Sequence, residues 1–507
     1  MAGSYYRTSM YLVVIGVLAL VLTLSGPIYR GVQGTGLTLA AVAGAIVLPP
    51  LVMLLVTRRT LRVFDDCPEQ PSRGQAAYGR GMVLVQALLA LGHGGTLLAT
   101  DWLLLCGRVP VVGKWVLVPG LIALAPFLLS IVLVWLAAYP ADRAVRQIAL
   151  EVYLFRGRPV RPVWSVVRFL LYNLRHQVLF VLVPMLLILA ANDVVTRYRH
   201  ELQRLTKLNY AADLTVGLAA LFVAVITPEI LRHVWVTQRL PSGPLRDRLE
   251  RLAAKLRLRC RDILVWRSGG MIVNAAVMGV VAPLRYVLIT DGMLEQMDDT
   301  KIEAVFGHEA GHVKRHHILY FLLFAFITGC ILTVFSVRTH GLAHRDELSY
   351  QAALTVIAGV LALKWGVLFG WISRRFERQA DMYGVRTLAV SGLPCGQPCH
   401  LHTPEGNPGR IRGDELCSTA AHVFADALHE VALLNGIRPE ARSWRHASIA
   451  LRSRTLQEYA LEPQRARRAE RVVVAVKLGI LLAAIVGGVW AAHDLRVWDS
   501  LQRWLPG

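Results

Sequence analysis

The chain has 507 residues, of which 55% are hydrophobic and only 18% charged, and its mean hydropathy is +0.46. These values argue against a set of soluble domains, because several apolar runs reach the roughly 20 residues that a helix needs to cross a bilayer. The net charge of +21 comes mostly from arginines in the connectors, as expected beside membrane spans. No basic stripe is interleaved with aromatics, so no nucleic-acid partner is predicted.

Nine apolar runs are predicted to cross the lipid bilayer as helices. They cover residues 10–29, 36–56, 82–105, 115–139, 176–195, 213–231, 317–337, 351–372 and 471–492. The first run lacks a small-residue cleavage site behind it, so we expect a retained span and not a removed signal peptide. Arginine-rich connectors follow the second, fourth and sixth runs, which predicts a cytoplasmic N-terminus and cytoplasmic polar regions. Arginine far outnumbers lysine, which favours a bacterial protein of the inner membrane.

Two long polar regions, residues 232–316 and 373–470, separate the later apolar runs. The first is predicted to be mixed, with a helix over 243–259 and short strands at 263–266, 272–273 and 286–290. Asp298-Asp299-Thr300 precedes a helical run that begins at Lys301, a typical helix start. The second region is predicted to be mostly helical. The expected organisation is 1–231, 232–316, 317–372, 373–470 and 471–507, in which 317–372 forms a membrane hairpin and the final segment a last span.

Residues 307–312 read Gly-His-Glu-Ala-Gly-His. On a helix His308 and His312 project from one face, because they are four residues apart, and both can bind one metal ion. Glu309 lies beside the first ligand. Zinc makes a bound water acidic, and a carboxylate can then take its proton as the water attacks a peptide carbonyl. The pattern predicts a zinc-dependent protease with one Zn²⁺ per chain.

A catalytic zinc site needs a third protein ligand. Position 318 is Ile318, which excludes the tighter three-histidine pattern. His316 and His317 are out of register and are predicted to mark the membrane surface where the next span begins.

A downstream carboxylate is the alternative, and topology selects it. Glu347 follows one span and falls on the opposite side, whereas Glu377 follows two spans and returns to the side of His308. Asp381 lies one helical turn after Glu377, where it can orient a ligand histidine.

The chain resembles the gluzincin-type membrane metalloproteases that include the HtpX heat-shock proteases and the CAAX prenyl proteases. The resemblance covers roughly residues 232–455 and is carried by Thr290-Asp291-Gly292, by 303–314, and by Glu377 with Ala380-Asp381. It implies that Glu377 is the third zinc ligand and Asp381 its supporting partner. The expected fold is a polytopic α-helical membrane protein with an α+β zincin-like metalloprotease domain split by two transmembrane helices.

Two shorter segments extend the resemblance. Asn274-Ala275-Ala276-Val277-Met278-Gly279 is similar to a family strand that lines the substrate cleft. Such an edge strand can bind a peptide by strand addition, although a plain buried strand remains the equal alternative. His446 with Arg452 is similar to the family's C-terminal signature, with Ala447 where the family has proline. This implies that His446 donates to a developing oxyanion and that Arg452 supports it.

The predicted reaction is endoproteolysis of a membrane-associated or misfolded membrane protein, with Glu309 as the general base. The predicted partners are therefore a peptide or protein substrate and the lipid bilayer. Cleavage of lipidated C-termini, as by a CAAX protease, remains an alternative, as does a non-proteolytic scaffold or transporter with a metal-binding domain. The cluster of Cys395, Cys399, His400 and His402 has no standard metal-finger spacing. A second, structural metal at this cluster remains an alternative, although we favour an incidental loop.

Overall fold

The structure is a computed structural model that describes residues 34–108, 117–155, 157, 162–208, 211–270, 272–339, 347–395, 415–435, 437–441 and 445–495. The chain divides into two compact units. The first contains 1–199, 214–236 and 435–437, and the second contains 200–213, 237–434 and 438–507.

Helices make up the described part of the chain that precedes the sheet. They are α1 (Thr35–Asp66), α2 (Pro71–Ala99), α3 (Trp102–Gly107), α4 (Leu117–Phe155), α5 (Val166–Asn173), α6 (Phe180–Arg197), α7 (Arg199–Thr206) and α8 (Ala211–Val234). A π-helical segment, Leu174–Leu179, joins α5 to α6. In the first unit α1 packs against α2 and α4. The Thr57 hydroxyl donates to the Ala137 carbonyl at 2.8 Å, which satisfies a buried polar group between α1 and α4.

The second unit contains a four-stranded mixed sheet. Its strands are β1 (Thr237–Arg239), β2 (Asp262–Trp266), β3 (Ala275–Met278) and β4 (Tyr286–Thr290). The order is β1-β2-β4-β3, in which β2 and β4 are parallel and the two outer pairs are antiparallel. The expected strands at 263–266 and 286–290 are present. The strand predicted at 272–273 is wrong, because pairing with β4 begins only at Ala275.

The second unit also contains helices, some of which are long and apolar. They are α9 (Pro244–Lys255), α10 (Asp291–Gln296), α11 (Asp299–Lys314), α12 (His317–Thr339), α13 (Glu347–Leu363), α14 (Phe369–Ser391), α15 (Ser418–Leu434), α16 (Ile449–Leu461) and α17 (Pro463–Asp494). Among them, α10 and α11 contact the sheet. A second π-helical segment, Lys364–Leu368, joins α13 to α14. The chain is therefore mostly helical with one small mixed sheet, which confirms the predicted fold class.

Within the described residues, seven helices are long and apolar enough to cross a membrane, and the chain is a multi-pass membrane protein. They are Thr35–Asp66, Pro71–Ala99, Leu117–Ile148, Val166–Arg197, Ala211–Val234, His317–Thr339 and Pro463–Asp494. The predicted span at 10–29 lies outside the described residues. The predicted span at 351–372 is helical throughout, from α13 through the π segment into α14, but is not among the seven.

Two glycines allow α11 and α14 to cross closely. A Cβ added to Gly307 would lie 2.7 Å from Thr387 Cβ, and one added to Gly311 would lie 3.1 Å from Ala380 Cα. Real Cβ atoms essentially never approach as closely as 2.7 Å, and a contact of 3.1 Å is tighter than most, so a side chain at either position would push against the other helix. The two glycines that flank the His308–Glu309 pair thus bring the motif helix against the helix that carries Glu377.

Candidate metal centre

The motif helix α11 begins where the sequence predicts. Asp298 precedes its first turn, and its carboxylate accepts a hydrogen bond from the backbone N–H of Lys301 at 2.9 Å. This bond satisfies one of the free amide groups at the helix start. The helix then places His308 and His312 one turn apart near its C-terminal end. Helix α14 brings Glu377 and Asp381 to the same place from across the tight crossing.

Three ligand atoms converge between α11 and α14. His308 Nε2 lies 3.3 Å from His312 Nε2, and the two nitrogens lie 3.6 and 3.7 Å from the carboxylate oxygens of Glu377. The three ligand groups fall within 4.8 Å of one another. Zinc bonds of about 2.0–2.1 Å at tetrahedral angles separate neighbouring ligand atoms by about 3.3 Å. The donors therefore fit a divalent ion of this size, and two nitrogens with one carboxylate are a set that zinc accepts.

The electrostatics of two of the three groups, His312 and Glu377, suit a cation. Burial lowers the pKa of His312 to about 4, so its ring is neutral near pH 7 and offers a lone pair. Burial alone would raise the pKa of Glu377, but the neighbouring His446, His312 and His308 hold that pKa well below its usual value. Glu377 is therefore ionised. A neutral imidazole beside a carboxylate is the protonation state that metal binding requires.

Glu309 faces the space beside these ligands. Its Oε2 accepts a hydrogen bond from the backbone N–H of Val277, on β3, at 3.2 Å. Burial, with help from the negative charge of Glu377, raises the pKa of Glu309 to about 7. A carboxyl group with such a pKa can take and return a proton near neutral pH, which is the property expected of a general base.

Asp381 contacts the side of the His308 ring that faces away from Glu377, and Arg452 contacts Asp381. Asp381 Oδ1 lies 2.9 Å from His308 Nδ1, the ring nitrogen that faces away from Glu377. Arg452 donates two hydrogen bonds to the same carboxylate, at 2.9 and 2.5 Å. Burial alone would raise the pKa of Asp381, but the positive charge of Arg452 holds it below its usual value. The geometry suits a carboxylate that orients one ligand ring, with an arginine that neutralises it.

His446 lies beside the three candidate ligands. Asn274 lies at the start of β3, three residues before the Val277 amide that contacts Glu309. His446 Nδ1 lies 3.1 Å from Glu377 Oε2, so its ring borders the same space. Asn274 precedes β3, and its backbone N–H donates to the Thr290 hydroxyl while its carbonyl accepts from the Thr290 hydroxyl and backbone N–H at the end of β4. Because β3 pairs only with β4 in the sheet order, its other edge faces Glu309.

The turn at Thr290-Asp291-Gly292 supports the strand end beside the site. Asp291 accepts hydrogen bonds from the Ser268 amide and hydroxyl and from the Gly269 amide, at 2.6–2.9 Å. A Cβ on Gly292 would meet the Ile272 carbonyl oxygen at 2.5 Å. The turn therefore fixes the loop that leads into β3, and glycine is required there by close approach.

Sequence reasoning missed one residue of the site. His317 begins α12, as expected of a residue at a span boundary, but its side chain is 0% exposed. Its Nδ1 lies 3.0 Å from His312 Nδ1. Its neighbour His316 is exposed and takes a left-handed φ of 56°. The cysteine cluster is only partly described: Cys395 Sγ lies 3.8 Å from Cys417 Sγ, and Cys399, His400 and His402 lie outside the described residues.

The chain is also similar to known proteins. Residues 240–424 match the family model described as Peptidase family M48. The expected resemblance to the HtpX and CAAX prenyl proteases is confirmed. The M48 match contains His308, Glu309, His312, Glu377 and Asp381, but it ends before His446 and Arg452.

Several known proteases are similar to part of the chain. The CAAX prenyl protease 1 homolog of Arabidopsis thaliana is 26% identical over 214 residues, which are 39% of this chain and 48% of that protein. A protease HtpX homolog of Archaeoglobus fulgidus is 26% identical over 167 residues, 33% of this chain and 48% of that protein. One from Methanopyrus kandleri is 34% identical over 137 residues, 26% of this chain and 42% of that protein. The chain therefore spans about half or less of the length of these relatives.

A solved structure is also similar. The crystal structure of S. mikatae Ste24p aligns with 84% of this chain and 100% of that chain, at 12% sequence identity and a TM-score of 0.47.

Proposed function

We propose that the chain is a zinc-dependent endopeptidase that cleaves membrane-associated or misfolded membrane proteins in protein quality control. The observation that carries this proposal is the convergence of His308 Nε2, His312 Nε2 and the Glu377 carboxylate within 4.8 Å, with Glu309 beside them. A scaffold or transporter that only holds a metal has no need of a second carboxylate poised next to it.

In this proposal Zn²⁺ is held by His308, His312 and Glu377. When bound, it polarises a peptide carbonyl and makes water acidic. Glu309 takes the proton of the attacking water and later passes it to the leaving amine. Its contact with the Val277 amide, at 3.2 Å, holds the carboxylate at the edge of β3. A peptide that added to this edge would present its backbone directly to Glu309.

Other residues assist the same step. His446 lies against Glu377 and can donate to the oxygen that becomes negative as water attacks the carbonyl. Arg452 holds Asp381, and Asp381 holds the His308 ring. Asn274 would contact the substrate backbone at the start of β3. Each of these groups acts by orientation or by charge, and none of them is itself a metal ligand.

The site adjoins apolar helices, which favours substrates at the membrane surface. Helix α11 ends at Lys314 and α12 begins at His317, five residues after His312. Helix α14 begins at Phe369, eight residues before Glu377. We propose that 317–372 is a membrane hairpin and that 232–316 and 373–470 face the cytoplasm of a bacterial cell. Digestion of 373–470 in right-side-out vesicles, with protection in inverted ones, would contradict this side.

The CAAX-type alternative has one observation in its favour, the match to the Arabidopsis protein of that name over 214 residues. The two substrate classes are separable by comparing a farnesylated peptide with the same peptide unmodified and with an unfolded membrane protein. Quality control predicts that the lipid makes little difference to kcat/KM. A preference for the farnesylated peptide of 100-fold or more, about 2.7 kcal/mol at 1.36 kcal/mol per factor of ten, would favour CAAX processing.

Glu309→Gln tests the enzymatic proposal. We expect the purified variant to retain zinc, because none of the three ligands changes, and to lose cleavage of casein, because an amide cannot accept the proton. Glu458→Gln, a half-exposed position on α16, is the matched control and should cleave as the wild type does. Equal cleavage by zinc-loaded wild type and Glu309→Gln would exclude the enzymatic role of this site.

A further inference from the structure

His312 uses its two ring nitrogens for different neighbours. Nε2 faces His308 and Glu377, whereas Nδ1 lies 3.0 Å from Nδ1 of the fully buried His317. The ring of His317 stacks on Phe376, the residue before Glu377, with centroids 4.4 Å apart and planes 8° from parallel. The imidazole of His317 is therefore fixed in position by α14 while it contacts a ligand on α11.

The far side of His317 meets a glutamine. His317 Nε2 lies 2.9 Å from Gln379 Oε1, and Lys477 on α17 lies 3.0 Å from the same oxygen. The amide nitrogen of Gln379 donates to Glu470 at 2.5 Å. Glu470 also contacts Arg386 at 3.1 Å, so it is an anionic acceptor. The network runs from the ligand His312 to two residues of the C-terminal helix.

Lys477 and Glu470, at the end of this network, determine which atom donates in each of its hydrogen bonds. An ammonium group only donates and an ionised carboxylate only accepts, so Gln379 must turn its oxygen to Lys477 and its NH₂ to Glu470. The oxygen then accepts from Nε2–H of His317, which leaves Nδ1 of His317 as an acceptor. Nδ1 of His312 must therefore carry the hydrogen, and its Nε2 must carry the lone pair. That lone pair points to His308 and Glu377.

We propose that His317 is a positioning residue that fixes the tautomer and the ring orientation of His312 for metal binding, with Gln379, Lys477 and Glu470 setting the direction of its hydrogen bonds. This inference rests on the metal site of the proposed function. The two histidine ligands would then be supported differently, His308 by the carboxylate of Asp381 and His312 by a neutral imidazole. The neutral partner adds no further negative charge to a site that already holds Glu377, Glu309 and Asp381.

The test measures zinc affinity, not activity, in the full-length protein purified in detergent. Each variant is made in the Glu309→Gln background, and zinc is titrated against a chromophoric chelator. His317→Phe keeps a stacked aromatic ring but removes both nitrogens, and we expect a loss of affinity of about 10- to 100-fold. His317→Gln supplies one acceptor and one donor, and we expect it to recover part of the loss. His316→Asn, at the exposed neighbour whose left-handed backbone suits asparagine, should bind as the parent does.

A second variant and a spectroscopic readout separate positioning from packing. Gln379→Met keeps the side-chain length and leaves His317 in place, and we expect a loss of at least about threefold that serves as the decisive result if His317→Phe does not fold. With Co²⁺ in place of zinc, both variants should change the visible ligand-field bands, which a packing defect away from the ligand would not do. If the parent binds zinc and His317→Phe and Gln379→Met bind it equally tightly, the role of His317 is refuted. If the parent binds no zinc, the proposed function itself fails.

Discussion

The backbone N–H of Val277 donates to the Glu309 carboxylate across 3.2 Å. The two residues lie on different elements, the outer strand β3 and the motif helix α11. Because Val277 turns its amide away from β4, this amide is not part of the strand ladder. The contact places the expected general base directly at the free edge of the sheet, where a peptide backbone would align.

Replacing Val277 by proline tests the role of that edge. Proline is tolerated on an edge strand where its missing N–H faces outwards, so we expect the sheet to form and zinc to bind normally. The expected loss is in kcat/KM, by about tenfold, because the backbone N–H that holds the Glu309 carboxylate at this edge disappears, equivalent to about 1.4 kcal/mol. Val277→Ala, which keeps the amide, is the control. Unchanged peptide cleavage by Val277→Pro would argue that the Val277 amide does not position Glu309 for the reaction.

A second prediction concerns the pair behind His308. Arg452 forms two hydrogen bonds with Asp381, whose side chain is 1% exposed. Arg452→Met keeps most of the side-chain volume but leaves a buried carboxylate without its cation. We expect the free energy of unfolding to fall by about 3 kcal/mol or more. The measurement is chemical denaturation of the metal-free protein in detergent.

The control for Arg452 lies on the same helix. Arg454 is exposed, and Arg454→Met should change the stability by less than about 0.5 kcal/mol. Equal effects of the two substitutions would show that the Arg452–Asp381 pair contributes no special stability.

The third prediction separates two roles for His446. If it stabilises charge during the reaction, His446→Gln should lower kcat by about 100-fold and leave KM and zinc content close to those of the wild type. The contact of His446 with Glu377 at 3.1 Å offers a different role, that of holding the ligand. A parallel loss of zinc and of activity would favour this ligand-holding role over transition-state stabilisation. Zinc analysis and steady-state kinetics on the same preparation decide between them.

The parts of the site that follow helical periodicity could be predicted from sequence. His308 and His312 share a face because they are one turn apart, and Glu377 and Asp381 do so for the same reason. The return of Glu377 to the side of His308 followed from counting two apolar segments between them. The start of α11 could also be predicted, because Asp298 is a residue type that caps helices, and its side chain does so here.

His317 could not be placed in this way. It is five residues after His312, which on a continuous helix is the wrong face. The helix instead ends at Lys314, and His316 adopts a φ of 56° before α12 begins. This break turns His317 back towards His312. The contacts of Lys477 and Glu470 with Gln379 could not be predicted for another reason. They join residues that are 98 and 91 positions apart in the chain, and no helical periodicity extends over such a separation.

Zinc binding by ligand variants is the most direct test of the proposed metal site. We expect one zinc ion per wild-type chain by elemental analysis, lost together with casein cleavage on chelation and restored by added zinc. We also expect that Glu377→Gln weakens zinc binding by at least about 100-fold, since an anionic ligand is lost, while Glu347→Gln at the start of α13 binds as the wild type does. Full zinc occupancy and unchanged affinity in Glu377→Gln would contradict the proposed metal site, because the carboxylate of α14 would then not hold the ion.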